Sequence, residues 1–267
     1  MTSSCTTACA DKLNLIYFSP TSTTRRIVEQ IAAGLKIDTV ETCDLTHRPD
    51  GINACLSDGI AIIGVPVYAG RVPEVCLQRL QGLSAVDVPA IIVVLYGNRE
   101  FEDALVELRD VVTQKGFKVI AAGAFIGEHS YSTAQQPIAA NRPDQADLQQ
   151  AFAFGEAIAQ QLRDGIATLP GIPGNLPYKE RPPLGGIAPE TDPQRCTLCG
   201  ACARACPTTV ITVQQTVITD AARCILCCAC TRSCPTQARF VNHPMVTARR
   251  EMLVQNYSAR KQPSRFF

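Results

Sequence analysis

The chain has 267 residues, is 46% hydrophobic and carries a formal charge of +1. That size and apolar content suit one large domain or two modest ones; they exclude a disordered chain, and the near-neutral balance argues against a generic nucleic-acid binder. The neutrality hides an asymmetry, because residues 1–165 hold 13 Lys and Arg against 19 Asp and Glu, while residues 166–267 hold 12 against 5.

Taken in order, residues 13–19 (LNLIYFS) form an apolar, β-rich run. Residues 23–35 follow with Ile27, Ile31 and Leu35 at helical spacing. A short strand is expected at 38–45. Residues 59–67 (GIAIIGVPV) and 90–96 (AIIVVLY) are unbroken apolar runs, the pattern of parallel strands buried on both faces. Helical patterns at 73–80 and 101–115 separate and follow them. A fifth strand is expected at 117–125 and a closing helix at 144–164. This alternation predicts an α/β fold, a doubly wound five-stranded parallel sheet over residues 1–165.

Three loops after these strands carry chemistry. Ser19-Pro20-Thr21-Ser22-Thr23-Thr24 places five hydroxyls in six residues at the start of a helix, where free amides and the helix dipole favour a phosphate. An ordinary helix cap would use the same residues. A Walker lysine and G-x-G-x-x-G are both missing, which weakens nucleotide triphosphate and dinucleotide readings. The second loop is Pro66-Val67-Tyr68-Ala69-Gly70-Arg71 and the third Tyr96-Gly97-Asn98-Arg99. Both sit at carboxyl ends of strands, where such sheets bind ligands. Tyr68 and Tyr96 are candidates to stack on a flat ring, or else they cover the sheet edge. His129, Ser130 and Tyr131 follow the fifth strand and read first as a structural loop.

Residues 166–194 are rich in Pro and Gly and read as an extended linker, either a passive spacer or a docking strap. A repeat then appears: residues 196–207 (CTLCGACARACP) and 224–235 (CILCCACTRSCP) agree at eight of twelve positions. Both have the spacing C-x2-C-x2-C-x3-C-P. Three cysteines so spaced wrap around one small inorganic centre, and in two-cluster ferredoxins the fourth ligates the other cluster. The expected 4Fe-4S ligands are therefore Cys196, Cys199, Cys202 and Cys234 for one cluster, and Cys206, Cys224, Cys227 and Cys230 for the second. A pair of structural zinc sites is the weaker alternative. A disulfide scaffold needs a secreted chain, and no leader of basic then apolar residues is visible. Cys228 is given no role. Cys43, Cys55 and Cys76 read as small core or surface residues, as do Cys5 and Cys9 unless those two form a redox pair. The basic tail, 243–267, begins as a helix that packs back on the protein.

Residues 190–242 resemble the bacterial-type two-cluster ferredoxins, with a small α+β domain at 195–242. Residues 12–165 resemble flavodoxins, whose phosphate loop S/T-x-T-G-x-T is matched by Ser19, Thr21 and Thr24, with Ser22 at the glycine position. The whole is similar to a family of flavodoxin–ferredoxin fusions, in which GxPVYxGRVP and YGNR segments recur. The resemblance implies two 4Fe-4S clusters and FMN as cofactors, with the ring between the second and third loops and the Ala69–Gly70 peptide facing flavin N5. Electron transfer between clusters and FMN, exchanging with a redox partner protein, is the function it implies. The alternative is a flavin-dependent reductase of a small molecule, with His129 and Arg71 as proton donor and anion clamp. Neither nucleic acid nor membrane is expected as a partner, and no apolar run reaches the about 18 residues of a membrane helix. The chain is expected to be soluble and cytoplasmic, and a homo-oligomer is left open.

Overall fold

A computed structural model describes residues 11–165, 171–183 and 186–267; Cys5 and Cys9 lie outside them. The first half runs β1 (Lys12–Tyr17), α1 (Thr23–Leu35), β2 (Thr39–Asp44), β3 (Asn53–Leu56), β4 (Ile60–Pro66), α2 (Glu74–Arg79), β5 (Gly82–Ala85), β6 (Val88–Tyr96), α3 (Ala104–Gln114), β7 (Phe117–Ile126) and α4 (Gln145–Arg163). The second half runs β8 (Glu190–Thr191), α5 (Ala201–Arg204), β9 (Ile211–Val213), β10 (Val217–Thr219), α6 (Ala229–Arg232), β11 (Arg239–Phe240), α7 (Pro244–Asn256) and β12 (Ser264–Phe266).

The main sheet has the order β12-β7-β6-β4-β1-β2. Its first five strands in sequence are parallel, and counted in sequence they lie 2-1-3-4-5, the flavodoxin-like order. The pleat sends alternate side chains to opposite faces. Leu13, Leu15 and Tyr17 face the side of α1 and α4 with Ile27, Ile31, Phe154 and Ile158. Ile16 and Phe18 face Cys76, Leu80, Leu105 and Leu108 on the side of α2 and α3. This two-sided burial is why β4 and β6 read as unbroken apolar runs.

Five strands were expected and six are found. Residues 264–266 (SRF) are too short and polar to announce a strand, yet β12 pairs antiparallel with β7 and covers its edge. Phe267, just beyond it, stacks edge-on against Phe154 at 5.1 Å. A separate parallel pair, β3 with β5, also went unseen; each has four residues, with little periodicity to read.

The linker, where described, is a strap. Buried Asp103 accepts the amides of Asn175 (2.8 Å) and Lys179 (2.7 Å), Tyr178 donates to Asp110 at 2.5 Å, and Ile172 joins the core. Its prolines leave fewer backbone donors to satisfy, and Asp103 takes two of those that remain.

The helices α1 and α4 cross in backbone contact. A Cβ on Gly155 would meet Ile31 O at 2.2 Å, and one on Gly34 would meet Phe152 O at 2.1 Å. Alanine normally favours a helix over glycine by about 1 kcal/mol. Here Gly155→Ala is expected to lower stability by about 1–3 kcal/mol through overpacking, measured by urea denaturation; a more stable variant would show that the crossing can relax.

Candidate functional site

The cysteine repeat folds twice into the same shape. Left-handed backbone recurs 28 residues apart at Leu198 and Leu226, Gly200 and Cys228, and Thr209 and Gln237. Such turns point successive amides inward, toward whatever the cysteines surround. One pocket is lined by Cys196, Cys199, Cys202 and Cys234, and another by Cys206, Cys224, Cys227 and Cys230, with Cys228 at its wall. Among the described residues no three His, Cys, Asp or Glu side chains converge closely enough to hold one metal ion. The sulfurs thus surround a volume, which fits an iron–sulfur cube and not a zinc ion.

The two pockets differ in exposure. In the first only Cys202 is buried and Cys199 is exposed, whereas in the second Cys206, Cys227 and Cys230 are buried and Cys224 is half-buried. Burial pushes the Cys227 and Cys230 thiols up, and that of Cys228 to about 12. Burial also acts on Cys234, but bonds from Thr236 and the amides of Arg239, Ala238 and Thr236 outweigh it and hold that thiol below its usual range. Such N–H donors stabilise sulfur carrying charge.

The buried pocket lies against the end of the parallel sheet. Tyr68 is pushed well up by burial, with Cys227, Cys76, Cys228 and Tyr131 adding to it. Tyr68 and Arg71 close a tight turn by paired amide–carbonyl bonds of 3.0 and 3.1 Å. Ala69 and Gly70 have φ of 53° and 82°, and the Ala69–Gly70 peptide bonds to nothing else among the described residues. At the first loop, Ser22 takes the left-handed conformation (φ 61°) as the cap of α1, a shape glycine adopts more cheaply. Ser19 Oγ accepts the Arg25 amide at 3.0 Å, Thr21 and Thr23 hydroxyls bond each other at 3.2 Å, and Thr24 lays its methyl against Gly64. The amides opening α1 have no acceptor within the helix, so the loop fits a phosphate. Pro66 is buried and Val67 is half-buried beside the turn.

The third loop serves packing instead. Tyr96 is buried, pushed to about 12 by that burial, with its ring 5.6 Å from Phe101; the stacking role expected of it does not fit. Asn98 donates to the carbonyls of Tyr257 (2.6 Å) and Ala259 (2.8 Å), and Gly97 lies under the His129 ring. Arg99 pairs with Glu102 at 2.6 Å. Arg71 pairs with Glu107 at 2.8 Å and bonds Lys179 O. Neither arginine is free to hold a flavin, because each guanidinium is engaged by a carboxylate, Glu107 for Arg71 and Glu102 for Arg99.

Sequence reasoning missed the residues that join the halves. Buried Arg79 donates to Leu45 O and Thr46 O at 2.8 Å and to Pro207 O at 2.5 Å. Arg232 bonds His129 O at 2.9 Å and Glu128 at 3.2 Å, Arg250 bonds Tyr131 O at 2.8 Å, and Arg260 pairs with Asp144 at 2.6 Å. The opposite charges of the two halves were the available signal.

The 4Fe-4S binding domain family matches residues 189–212. No curated protein matches the chain. Among solved structures, an archaeal flavodoxin is 13% identical over 57% of this chain and 99% of its own, with a TM-score of 0.37. A Fusobacterium nucleatum flavodoxin bound to flavin mononucleotide is 17% identical over 56% and 98%, also at 0.37. Rubredoxin oxygen:oxidoreductase of Desulfovibrio gigas is 16% identical, over 59% of this chain but 37% of its own, at 0.36. The matched family and the cysteine pockets define a 4Fe-4S binding region, and the strand order defines a flavodoxin-like fold beside it. More particularly, the chain joins a flavodoxin-like domain to a 4Fe-4S ferredoxin domain. No helix among the described residues is long and apolar enough to cross a membrane.

Burial, with Arg232, Arg99, Arg249 and Arg250 nearby, lowers His129 to about 4, so it is neutral at pH 7 and no ready proton donor. The unfolded chain protonates it near the ordinary value of about 6.5. Between those values the unfolded state binds more protons, so stability rises with pH across the window and falls as it is acidified. His129→Asn, which keeps an acceptor for the Tyr131 amide, should flatten that slope in denaturation curves taken from about pH 4 to about 6.5. A slope equal to the parent's would assign the acid sensitivity to other groups.

Proposed function

We propose that the protein is an electron-transfer flavoprotein that relays low-potential electrons between two 4Fe-4S clusters and one FMN on the same chain and exchanges them with a redox partner protein. The carrying observation is the pair of four-cysteine pockets, one exposed at Cys199 and the other buried against the Tyr68–Arg71 turn. When bound, the clusters supply single-electron steps and the flavin one- or two-electron steps.

The chain's own residues set the order. Cys199 and Leu198 leave the first pocket open to a partner. Ile225 lines the second pocket and packs against the core of the flavodoxin-like domain, which holds that pocket beside Tyr68. The loop from Ser19 to Thr24 would hold the FMN phosphate, and Tyr68 with the Ala69–Gly70 peptide would border the ring. Residues 171–183 and the tail hold the halves in register, so no diffusional docking step separates cluster from flavin. His129 is held neutral by burial, with its arginine neighbours adding to the effect, and Arg71 is engaged with Glu107; both facts favour the relay over a reductase that would use them.

Iron, sulfide and released-flavin analysis of anaerobically purified protein should give about eight irons and one FMN per chain. Cys227→Ala should keep the flavin but abolish its reduction by a protein donor. Flavin reduction at the parent rate in that variant, or about four irons in the parent, would sink the relay.

A further inference from the structure

Arg239 is a buried cation whose partners are all neutral or sulfur. It is 5% exposed. Its Nη1 donates to Thr191 Oγ1 at 2.6 Å, and its Nη2 donates to Thr219 Oγ1 at 2.9 Å and toward Cys230 Sγ at 3.7 Å. Its Nε has no acceptor. Among the described residues no carboxylate pairs with it. A charge withdrawn from water is strongly disfavoured unless something of opposite sign stands close by, and two hydroxyls do not supply that.

Its position says what does. The side chain lines the pocket of Cys196, Cys199, Cys202 and Cys234, while Nη2 reaches Cys230 of the other pocket. It therefore stands between the two four-cysteine sets. Residue 239 heads β11, whose pairing with β8 brings Thr191 opposite it, so backbone pairing and two hydroxyls fix the guanidinium there.

We propose that Arg239 is the shared counter-cation of the two iron–sulfur centres, a positioning residue that raises both reduction potentials together. The inference rests on the relay reading above. A cluster with four thiolates is a dianion when oxidised and a trianion after accepting one electron from a one-electron donor. No bond forms or breaks, and the electron passes onward intact. The only net change is one negative charge added beside a fixed positive one, which favours the reduced form; net charge and hydrogen bonds to sulfur are among the levers that set such potentials. Because one guanidinium serves both sites, it moves the two potentials in the same direction.

The test is an EPR-monitored redox titration of the full holoprotein, with iron analysis on each sample. Arg239→Gln and the apolar Arg239→Met should load the parent's iron and show both midpoints lowered, by at least tenfold in the reduction equilibrium, or about 59 mV for one electron. Arg239→Lys, which keeps the charge, should stay close to the parent. Unchanged midpoints in either neutral variant overturn the proposal. So does loss of iron from the lysine variant, since the side chain would then be needed for its shape and not its charge. A parent protein without iron defeats the cluster reading itself, and the same analysis shows it before any variant is compared.

Discussion

The crossing of the fourth cysteine governs much of this molecule. Cys206 leaves its own repeat to line the pocket of Cys224, Cys227 and Cys230, and Cys234 returns the exchange. Neither pocket is complete without both repeats, so residues 196–234 form one cooperative unit although their core is small. With so little apolar surface to bury, the segment would draw on 4Fe-4S binding for much of its stability. The crossing also fixes Pro207, whose carbonyl takes the Arg79 guanidinium, and so transmits the order of the cysteine loops to the parallel sheet.

Charge then joins what the crossing has shaped. The acidic first half and the basic second half meet through Arg232 with Glu128, Arg260 with Asp144 and Asp147, Arg181 with Glu107, and Lys179 with Glu102. Exposed ion pairs contribute little each. Those that count here are the half-buried ones around Glu107 and Asp147, whose partners would otherwise be stranded. Arg142 and Arg260 both hold Asp147, which also closes the capping box of α4; the tail is thereby tied to the start of a helix in the other half.

The parallel sheet was readable because strands buried on both faces carry no polar interruptions: residues 60–66 and 88–96 are apolar nearly throughout. The spacing of Ile27, Ile31 and Leu35 marked α1 because one helical face alone is buried, at intervals of four residues. The short pair β3 and β5 and the strand β12 carry too few residues for any period. At the site, the cysteine spacing paired Cys234 with the first repeat, and the structure lines one pocket with those same four residues. The arginines and Asn98 were harder. Arg71, Asn98 and Arg99 sit at strand ends, where ligands bind, and nothing local shows that residues 171–183 and 257–261 come back over them. Distant segments decide their partners, and one-dimensional spacing cannot express that. Arg239 follows the second cysteine repeat by four residues, but Ile211 stands at the equivalent position after the first, so the duplication does not mark it.

The pairing of β12 with β7 has a consequence for assembly. During synthesis the sheet has five strands and an open edge at β7 until residues 264–266 leave the ribosome, after every cysteine has been made. The nascent flavodoxin-like half is therefore exposed to edge-to-edge association for as long as the cysteine loops are being translated. Only when β12 docks is that edge paired, so the sheet's last seam is closed from the far end of the described chain.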